Sequence, residues 1–572
     1  MNYDFLPKYL RVYVVQQEYS NYSSVDHATW RFILKISKNF FISNAHSAYL
    51  KGLQETGITE DEIPRIEEID IKLQKYGWRA VCVKGFIPPL VFMDFQSRAI
   101  LPIAADMRSQ EHLTYTPSPD IVHESAGHSP IIIDNNYSDY LKSYGSIARK
   151  AIYSKEDIDV YMAIKKLSDL KEDPNSKNID IENAEDNLKN AYDSIRYTSE
   201  ASMLSRMNWW TVEYGLIGTK NDPKIYGAGL LSSVGESENS LSSKVDKIDF
   251  SKECMNYDYN ITEQQPQLFI INSFKDLQEA LKDIESEMTF NKPVEYGLDR
   301  ALEARAVCTI ELDGNLQISG VVSKVLSRVN KISYIQFNGP TQLSHLYRQI
   351  PGHGGEYHSD GYGTPIGEIE FLNKSLNKLS AQELEDLGVC KNKNVSLKFT
   401  SGVVVNGRVT DLKYIKNVLS IVKFENCKVT LDSKILFDPS WGNFDLICSG
   451  KVESVYGGPA DINRYIQFMP EMAEGNKNSK KRKIDKSLDD LYLAVKNHRK
   501  KAKVDVDFLE KIYNQSIKNY SQHWLILFEI LEIIIKTDCT LKEKIINHFK
   551  KSIPNNSDLY RAIQRGIDIL HS

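Results

Sequence analysis

The sequence contains few cysteines, and their spacing excludes two kinds of structure. Its 572 residues include seven cysteines, an odd number, and no two of them form a C-x-x-C pair. Such pairs are typical of thiolate zinc sites, whereas an even and closely spaced set is typical of small disulfide-bonded domains. The cysteines therefore argue against both structures and indicate reduced thiols.

The sequence also lacks a long hydrophobic run and a large excess of either charge. Its most apolar stretch, 524–535, is interrupted by Glu529 and Glu532 and is too short to span a bilayer. The N-terminal residues include no apolar segment of the kind found in signal peptides. A formal net charge of -5 provides no bulk attraction to nucleic acid or to anionic membranes. We therefore expect a cytoplasmic protein that binds neither nucleic acid nor membrane.

The pattern of apolar and charged residues changes along the chain and predicts a multidomain fold. Residues 1–290 are mainly helical, with a strongly charged insert at about 155–200 that we expect to be an exposed helical excursion. Residues 300–465 consist of short alternating strands. A Lys-rich linker is predicted at 466–485. Apolar helical periodicity returns over 486–572, which predicts a small C-terminal helical bundle.

The β-rich region contains an internal similarity at a spacing of 87 residues. A shift without gaps places Gly320 on Gly407, Phe337 on Phe424, Gly355 on Gly442 and Gly363 on Gly450. These matches predict a duplicated β module over about 305–460. The alternative is that two strand-rich stretches share the same alternation.

The segment 115–130 contains His123-Glu124-x-x-x-His128. In the zinc-protease pattern the two histidines are four residues apart, on one face of a helix. Here they are five apart, so an α-helix with 3.6 residues per turn would point them in different directions. A local distortion of the helix is therefore required if both are to bind one metal ion.

A carboxylate further along the chain could complete a metal site with these histidines. Glu213 lies in the apolar segment Asn208-Trp-Trp-Thr-Val-Glu-Tyr-Gly215, where a buried carboxylate needs a cation or hydrogen bonds. Two imidazoles and one carboxylate form the facial triad of non-haem Fe(II) oxygenases, which leaves coordination positions open for oxygen and substrate.

The surrounding motifs resemble those of the pterin-dependent aromatic amino acid hydroxylases. The matching stretches are Glu62-Ile-Pro-Arg-Ile-Glu67, the segment 115–128, Trp209 to Gly215, Tyr226 to Glu236 and Asn260 to Pro266. They follow one another in the family's order over about residues 20–290. The resemblance implies the family's mainly α catalytic domain, and a monooxygenase that hydroxylates the ring of a free aromatic amino acid. It also implies Fe(II), tetrahydrobiopterin or a related tetrahydropterin as cofactors, and O2 as co-substrate.

The resemblance also implies a role for individual residues. The implied iron ligands are His123, His128 and Glu213. The implied substrate contacts are Arg108, which would pair with the amino acid carboxylate, and Thr116, Pro119, Trp209 and Ser232. The implied pterin contacts are Gly85, Phe86, Ile87 and Phe92, together with Glu124, which would lie between pterin and iron as a catalytic residue.

Substrate choice rests on two positions. Trp209 resembles the phenylalanine-hydroxylating members, and Ile261 is apolar where tyrosine-hydroxylating members prefer an acidic residue. Phenylalanine is therefore favoured, as in phenylalanine catabolism, although Ile261 would suit tryptophan equally well.

Some sequence features allow other functions. A zinc hydrolase with Glu124 as its base is one alternative, but the five-residue histidine spacing argues against it. A non-catalytic scaffold that acts through the β module is another. His353 and His358 could bind a second metal ion, but the 87-residue shift places Ser440 and Asp445 opposite them, so we favour a glycine-rich turn. The apolar terminal helices are also compatible with a homo-oligomer that forms through them.

Overall fold

A computed structural model describes most of the chain. It covers residues 3–85, 87–113, 119–172, 176–260, 263–328, 331–472 and 485–571. Within these ranges, no helix is both long enough and apolar enough to cross a bilayer.

The N-terminal half is mainly helical and includes two small sheets. Its helices are α1 (Lys8–Arg11), α2 (Ser24–Asn44), α3 (Ala48–Thr56), α4 (Ile66–Leu73), α5 (Pro89–Ser97), α6 (Asn135–Ala148), α7 (Lys155–Glu172), α8 (Asn178–Asp193), α9 (Glu200–Asn208), α10 (Ala228–Leu231), α11 (Val234–Leu241), α12 (Phe274–Glu287) and α13 (Val294–Ala304). Its strands are β1 (Arg79–Val83), β2 (Ile100–Ala104), β3 (Leu216–Thr219), β4 (Asp222–Ile225), β5 (Asp246–Asp249) and β6 (Gln267–Ile271). Strands β1 and β2 pair in parallel, and the second sheet has the order β4-β3-β6-β5.

Helix α2 is the central helix of this half. It begins at a capping box, in which the Ser23 hydroxyl accepts from the Asp26 backbone and the Asp26 carboxylate accepts from the Ser23 backbone. Trp30 and Ile36 are fully buried on this helix, and Phe32 is almost so. The charged insert is formed by α7 and α8, which pack on each other and are largely exposed, so the excursion predicted from the sequence is helical.

The next region consists of β-strands with two short helices. The strands are β7 (Val307–Leu312), β8 (Leu316–Arg328), β9 (Lys331–His345), β10 (Arg348–Gln349), β11 (Gly361–Pro365), β12 (Asn394–Lys398), β13 (Val403–Ile415), β14 (Val418–Leu431), β15 (Lys434–Phe437), β16 (Phe444–Ile447) and β17 (Val452–Gly457), and the helices are α14 (Ala381–Asp386) and α15 (Ile462–Tyr465). One sheet has the order β10-β9-β8-β7-β17, with β11 also on β9. The other has the order β12-β13-β14-β15, with β16 also on β14.

The two sheets support the proposed 87-residue repeat. Both ends of β13 lie 87 residues after the corresponding ends of β8. The β8–β9 pairing has three bulges, and the β13–β14 pairing has bulges at the three positions 87 residues later. Gly320 and Gly407 each occupy one of these bulges, where an added Cβ would contact the ring of Phe337 or Phe424 at 3.3 or 3.1 Å. The same close approach of a glycine to a phenylalanine ring therefore occurs in both sheets.

The last strand of each unit departs from this spacing, which corrects part of the gapless match. Tyr362 of β11 pairs with Phe337, whereas Phe444 of β16 pairs with Phe424. The equivalent positions are thus 82 residues apart in this strand. Gly363 therefore corresponds to Asp445 and not to Gly450, because the second unit has a shorter connection before its last strand.

The β-rich region packs closely on the N-terminal half. Strand β17 returns to pair with β7, and a Cβ at Gly457 would overlap the carbonyl of Ala151. The first part of the predicted linker, 466–472, is instead helical and packed. Residues up to Met472 are packed, with Met469 and Met472 in a core shared with Tyr13, whose hydroxyl donates to the Met472 carbonyl. The rest of the predicted linker, except residue 485, lies outside the described residues.

The chain ends in helices α16 (Lys486–Arg499), α17 (Val506–Asn519), α18 (Trp524–Ile534), α19 (Thr540–Ser552) and α20 (Asp558–His571). Helices α16, α18 and α20 contact α2, and their apolar residues belong to the same core as the N-terminal half. Phe32 of α2 packs edge-on against Trp524 and Phe528, with ring centroids 5.0 and 4.7 Å away. The apolar surface that suggested an oligomer is therefore buried within one chain.

A charge cluster accompanies this apolar contact. Arg31 of α2 lies 2.8 Å from Glu532 and 3.5 Å from Glu529. Arg499 of α16 lies 2.9 and 2.7 Å from the same two carboxylates, and Lys35 also pairs with Glu532. Because these carboxylates are mostly buried, each needs its cationic partners to remain charged.

We expect Phe32→Ala to lower the free energy of unfolding by about 3–5 kcal/mol, because it removes a buried ring between α2 and α18. Urea unfolding of the full chain, followed by tryptophan fluorescence, measures this loss. Phe371→Ala is the matched control, since that ring is 89% exposed, and it should change stability by less than about 0.5 kcal/mol. Equal effects of the two substitutions would contradict the packing described here.

Candidate metal centre

The two histidines of the first motif lie on a π-helix, Val122–His128. A π-helix pairs residues five apart and is wider than an α-helix. It therefore supplies the distortion that the five-residue spacing required. The Nε2 atoms of His123 and His128 are 3.2 Å apart, with the rings nearly perpendicular at 87°.

Glu213 meets these histidines from a second π-helix, Trp209–Glu213. One carboxylate oxygen is 3.3 Å from His123 Nε2, and the other is 3.4 Å from His128 Nε2. The three side chains thus present two nitrogen atoms and a carboxylate to one small volume, as expected for the ligands of one metal ion.

Glycines allow the two π-helices to approach each other through α10. A Cβ at Gly127 would lie 2.7 Å from the carbonyl oxygen of Ala228. A Cβ at Gly227 would overlap the Glu213 carbonyl, and one at Gly229 would lie 3.0 Å from it. Any larger residue at these positions would separate the histidine turn from the carboxylate turn.

A buried hydrogen-bond network supports His123. The Asp120 carboxylate accepts two bonds of 2.8 Å from the Arg108 guanidinium and one of 3.1 Å from the His123 backbone. Arg108 also donates to the Ser232 carbonyl at 3.0 Å. Asp120 therefore connects the start of the π-helix to the segment that follows α10.

The Ser232 hydroxyl sets the tautomer of His123. It donates to the Ala228 carbonyl at 2.8 Å and lies 3.0 Å from His123 Nδ1. Because the hydroxyl proton is used on Ala228, the oxygen accepts from the Nδ1 proton of His123. The Nε2 lone pair of His123 is then left for a metal ion.

The electrostatics of the site suit a cation. Burial lowers the pKa of His123 to about 4, so this imidazole is neutral. Burial opposes the charge on His128, but the Glu213 carboxylate outweighs it and raises the pKa of His128. Burial also opposes the charge on Glu213, yet the two histidines hold the pKa of its carboxyl below the usual value. A divalent ion would take the place of the proton that His128 shares with Glu213.

Glu124 lies beside the three ligands without joining them. Its Oε2 atom is 3.9 Å from His128 Nε2 and finds no hydrogen-bond partner among the described residues. Burial raises the pKa of Glu124 to about 8, with a further rise from Glu213 and an opposing effect of His128. An orphaned buried carboxyl next to a metal-binding triad indicates that the site accommodates a further polar group.

The comparison with protein families agrees with this geometry. A profile of the biopterin-dependent aromatic amino acid hydroxylases matches residues 14–166 and 197–333, about half of the chain. The chain belongs to this family. The unmatched residues between the two segments fall in the helical insert, and the match ends near the start of β9.

Individual hydroxylases are similar over the same half. The phenylalanine-4-hydroxylase of Chromobacterium violaceum is 30% identical over 271 residues, which cover 47% of this chain and 76% of that protein. The Pseudomonas aeruginosa enzyme is 29% identical over 279 residues, covering 48% and 89%. A crystal structure of the C. violaceum enzyme with bound iron(III) and 7,8-dihydrobiopterin is 28% identical, with a TM-score of 0.38, and covers 48% of this chain and 86% of that one.

The other residues that were expected to contact substrate differ in their surroundings. Trp209 is in a stack with Tyr214 and Tyr259, at centroid distances of 4.5 and 4.3 Å, so much of its ring surface is used within the protein. Pro119 is exposed. Thr116 and Ile261 lie outside the described residues. Ser232, expected to contact substrate, lies beside the ligands, with its hydroxyl 3.0 Å from His123 Nδ1.

The expected pterin residues lie at the start of α5 and just before it. Phe92 of α5 is half-buried, and Ile87 packs in the core that includes Val91. Gly85 is exposed with a φ of 66°, and a backbone hydrogen bond joins it to the Asp106 carboxylate. Phe86 lies outside the described residues.

The family resemblance implied no role for Asp120 or for Tyr259. Asp120 could have been found, because an aspartate three residues before His123 is at a typical position for capping a helix. Nothing in the local sequence indicates that Tyr259 stacks on Trp209.

We expect Ser232→Ala to weaken Fe(II) binding by about 10–100-fold, because His123 loses the acceptor that orients its ring. Anaerobic Fe(II) titration of the full chain measures the change. Ser146→Ala, at an exposed serine of α6, is the control and should bind Fe(II) normally. Unchanged affinity in Ser232→Ala would show that the hydroxyl does not position the ligand.

Proposed function

We propose that this hydroxylase binds Fe(II) through His123, His128 and Glu213 and converts L-phenylalanine to L-tyrosine with O2 and a tetrahydropterin. The observation that carries the proposal is the meeting of the two Nε2 atoms and the Glu213 carboxylate within 3.2 to 3.4 Å. The similarity to enzymes named phenylalanine-4-hydroxylase supports the choice of substrate.

His123, His128 and Glu213 would together hold the ion through two imidazoles and one carboxylate. Such a ligand set would leave other coordination positions open for oxygen and substrate. With iron and tetrahydropterin bound, one atom of O2 can enter the substrate ring while the pterin supplies the electrons that reduce the other. The protein positions these reactants and excludes bulk water.

Arg108 would bind the carboxylate of the amino acid. Its bonds to Asp120 and to the Ser232 carbonyl use three of the five guanidinium N–H donors. Among the described contacts, one N–H of Nη1 and one N–H of Nη2 remain unused. Two such donors match the two oxygens of a carboxylate. Burial opposes the charge on Asp120, but the Arg108 guanidinium outweighs burial and holds the pKa of the Asp120 carboxyl below its usual value, so this carboxyl remains ionised.

The remaining pocket would receive the aromatic ring and the pterin. Trp209 offers the part of its indole that the tyrosine stack leaves uncovered, and its Nε1 has no partner among the described residues. Thr116 and Pro119 are proposed as further substrate contacts. Phe92 would stack on the pterin, the backbone of 85–87 would bind its edge, and Glu124 would hold a proton beside it.

The free cysteines fit the proposed cytoplasmic location. All seven are unpaired, and Cys82, Cys254, Cys308, Cys427 and Cys448 are buried. Buried thiols without partners are typical of proteins that fold under reducing conditions.

Turnover with each aromatic amino acid tests the proposed function. The full chain, loaded anaerobically with Fe(II) and supplied with tetrahydrobiopterin and O2, should form tyrosine from phenylalanine, because the family chemistry adds one oxygen atom to the ring. Chromatography of the products measures this. Hydroxytryptophan as the main product would instead support the alternative substrate, which the apolar Ile261 also suits. Absence of any hydroxylated product would contradict the proposal.

We expect Glu124→Gln to keep its iron but to lose about 10–100-fold in turnover, because Glu124 adjoins the ligands without being one of them. Iron content and product formation, measured on the same sample, separate binding from chemistry. Glu279→Gln, at an exposed position of α12, is the control. Loss of iron in Glu124→Gln would indicate that Glu124 is a ligand. Normal turnover would show that it has no catalytic role.

A further inference from the structure

A second cluster of potential metal ligands lies in the β-rich region, where the sequence favoured a glycine-rich turn over a metal site. His353 and His358 belong to the connection between β10 and β11, and Asp445 belongs to β16 of the other sheet. All three are nearly inaccessible, with exposed fractions of 9%, 8% and 3%. One ligand atom from each lies within 4.8 Å of the other two.

The spacing of the two imidazoles is that of ligands on one ion. His353 Nδ1 and His358 Nε2 are 3.3 Å apart. Two nitrogens bound at about 2.0–2.1 Å to a tetrahedral zinc ion would be separated by about 3.3 Å.

Backbone hydrogen bonds hold both histidines in place. The His353 carbonyl accepts from the Leu343 backbone at 2.9 Å, and the His358 carbonyl accepts from the Thr341 backbone at 3.0 Å. A Cβ at Gly355, between the histidines, would overlap the ring of Phe468, so the connection is tightly packed. The two side chains are thus presented from a rigid turn that is anchored on β9.

Asp445 supplies the observation that points to a cation. Its Oδ1 atom is buried and has no hydrogen-bond partner among the described residues. Leaving a carboxylate oxygen buried and unsatisfied is costly, and a bound cation would remove that cost. A simple hydrogen bond between the two imidazoles would leave this oxygen unsatisfied.

Two lysines and a tyrosine face the same carboxylate without replacing a cation at Oδ1. Lys423 is opposite Asp445 in the β14–β16 pairing, and Tyr357 bonds to the Asp445 carboxylate. Lys413 donates to the Pro351 carbonyl at 2.6 Å. Neither lysine forms an ion pair with Asp445 within 4.0 Å in the described part of the chain.

We propose that His353, His358 and Asp445 bind a divalent transition-metal ion, with Zn²⁺ the best match to two imidazoles and one carboxylate. The ion joins the turn between β10 and β11 to strand β16, and so links the two sheets of the β-rich region. This site is separate from the iron site and does not depend on the proposed hydroxylation.

Zinc stoichiometry in four versions of the full chain tests the proposal. These are the unchanged protein, His128→Gln, Asp445→Asn and the double variant, each stripped with a chelator, saturated with Zn²⁺ and desalted. Elemental analysis should find about two zinc ions per chain in the unchanged protein, about one in each single variant and almost none in the double variant. Equal zinc in His128→Gln and in the double variant would overturn the second site.

Thermal unfolding of the same samples separates lost binding from lost folding. Asp445→Asn retains the shape of the side chain and removes a buried charge, so the metal-free variant should melt at or above the temperature of the metal-free parent. Zn²⁺ should raise the melting temperature of His128→Gln but not that of the double variant. His358→Gln in the His128→Gln background should also lose zinc, whereas His345→Gln, at a half-exposed histidine of β9, should keep it. Zinc retained by the His358→Gln variant would also refute the assignment.

Discussion

The architecture of the proposed iron site depends on the contact between two π-helical turns across α10. Each turn carries only part of the proposed ligand set, so neither turn alone provides all three side chains. His123 and His128 converge because their turn is wider than an α-helix, and Glu213 ends the facing turn. The glycines at 127, 227 and 229 make the approach possible, since an added Cβ at each would meet backbone or ring atoms of the opposing segment.

The buried network around Asp120 extends this constraint from His123 to Arg108. The same carboxylate caps the histidine turn and holds Arg108, and Arg108 in turn bonds to the segment whose hydroxyl orients His123. The proposed metal ligation and the proposed recognition of the amino acid carboxylate would therefore be coupled through shared hydrogen bonds. A change at any member of the network should be felt at the others, because buried polar groups tolerate unsatisfied partners poorly.

The regions outside the family match pack directly against the N-terminal half. The terminal helices share a core with α2, and Arg31 places a charge between buried carboxylates of α18. Strand β17 brings the β-rich region against Ala151. The proposed zinc site would act within this second region, where it joins strands that are distant in sequence.

Much of this could be predicted from local patterns. The ordered motifs identified the family and predicted that His123, His128 and Glu213 lie together, and the periodicity of the last residues predicted helices over 486–572, where α16 to α20 lie. The 87-residue spacing of Gly320 and Gly407 predicted a duplicated module, and the two glycines occupy equivalent bulges, because a glycine beside a phenylalanine ring reflects a local backbone requirement. Other features were decided only by packing. The local sequence carries no sign of the second π-helix at Glu213, of the Ser232–His123 bond or of the meeting of Asp445 with His353. Periodicity and capping act over a few residues, whereas such contacts depend on how whole elements pack together.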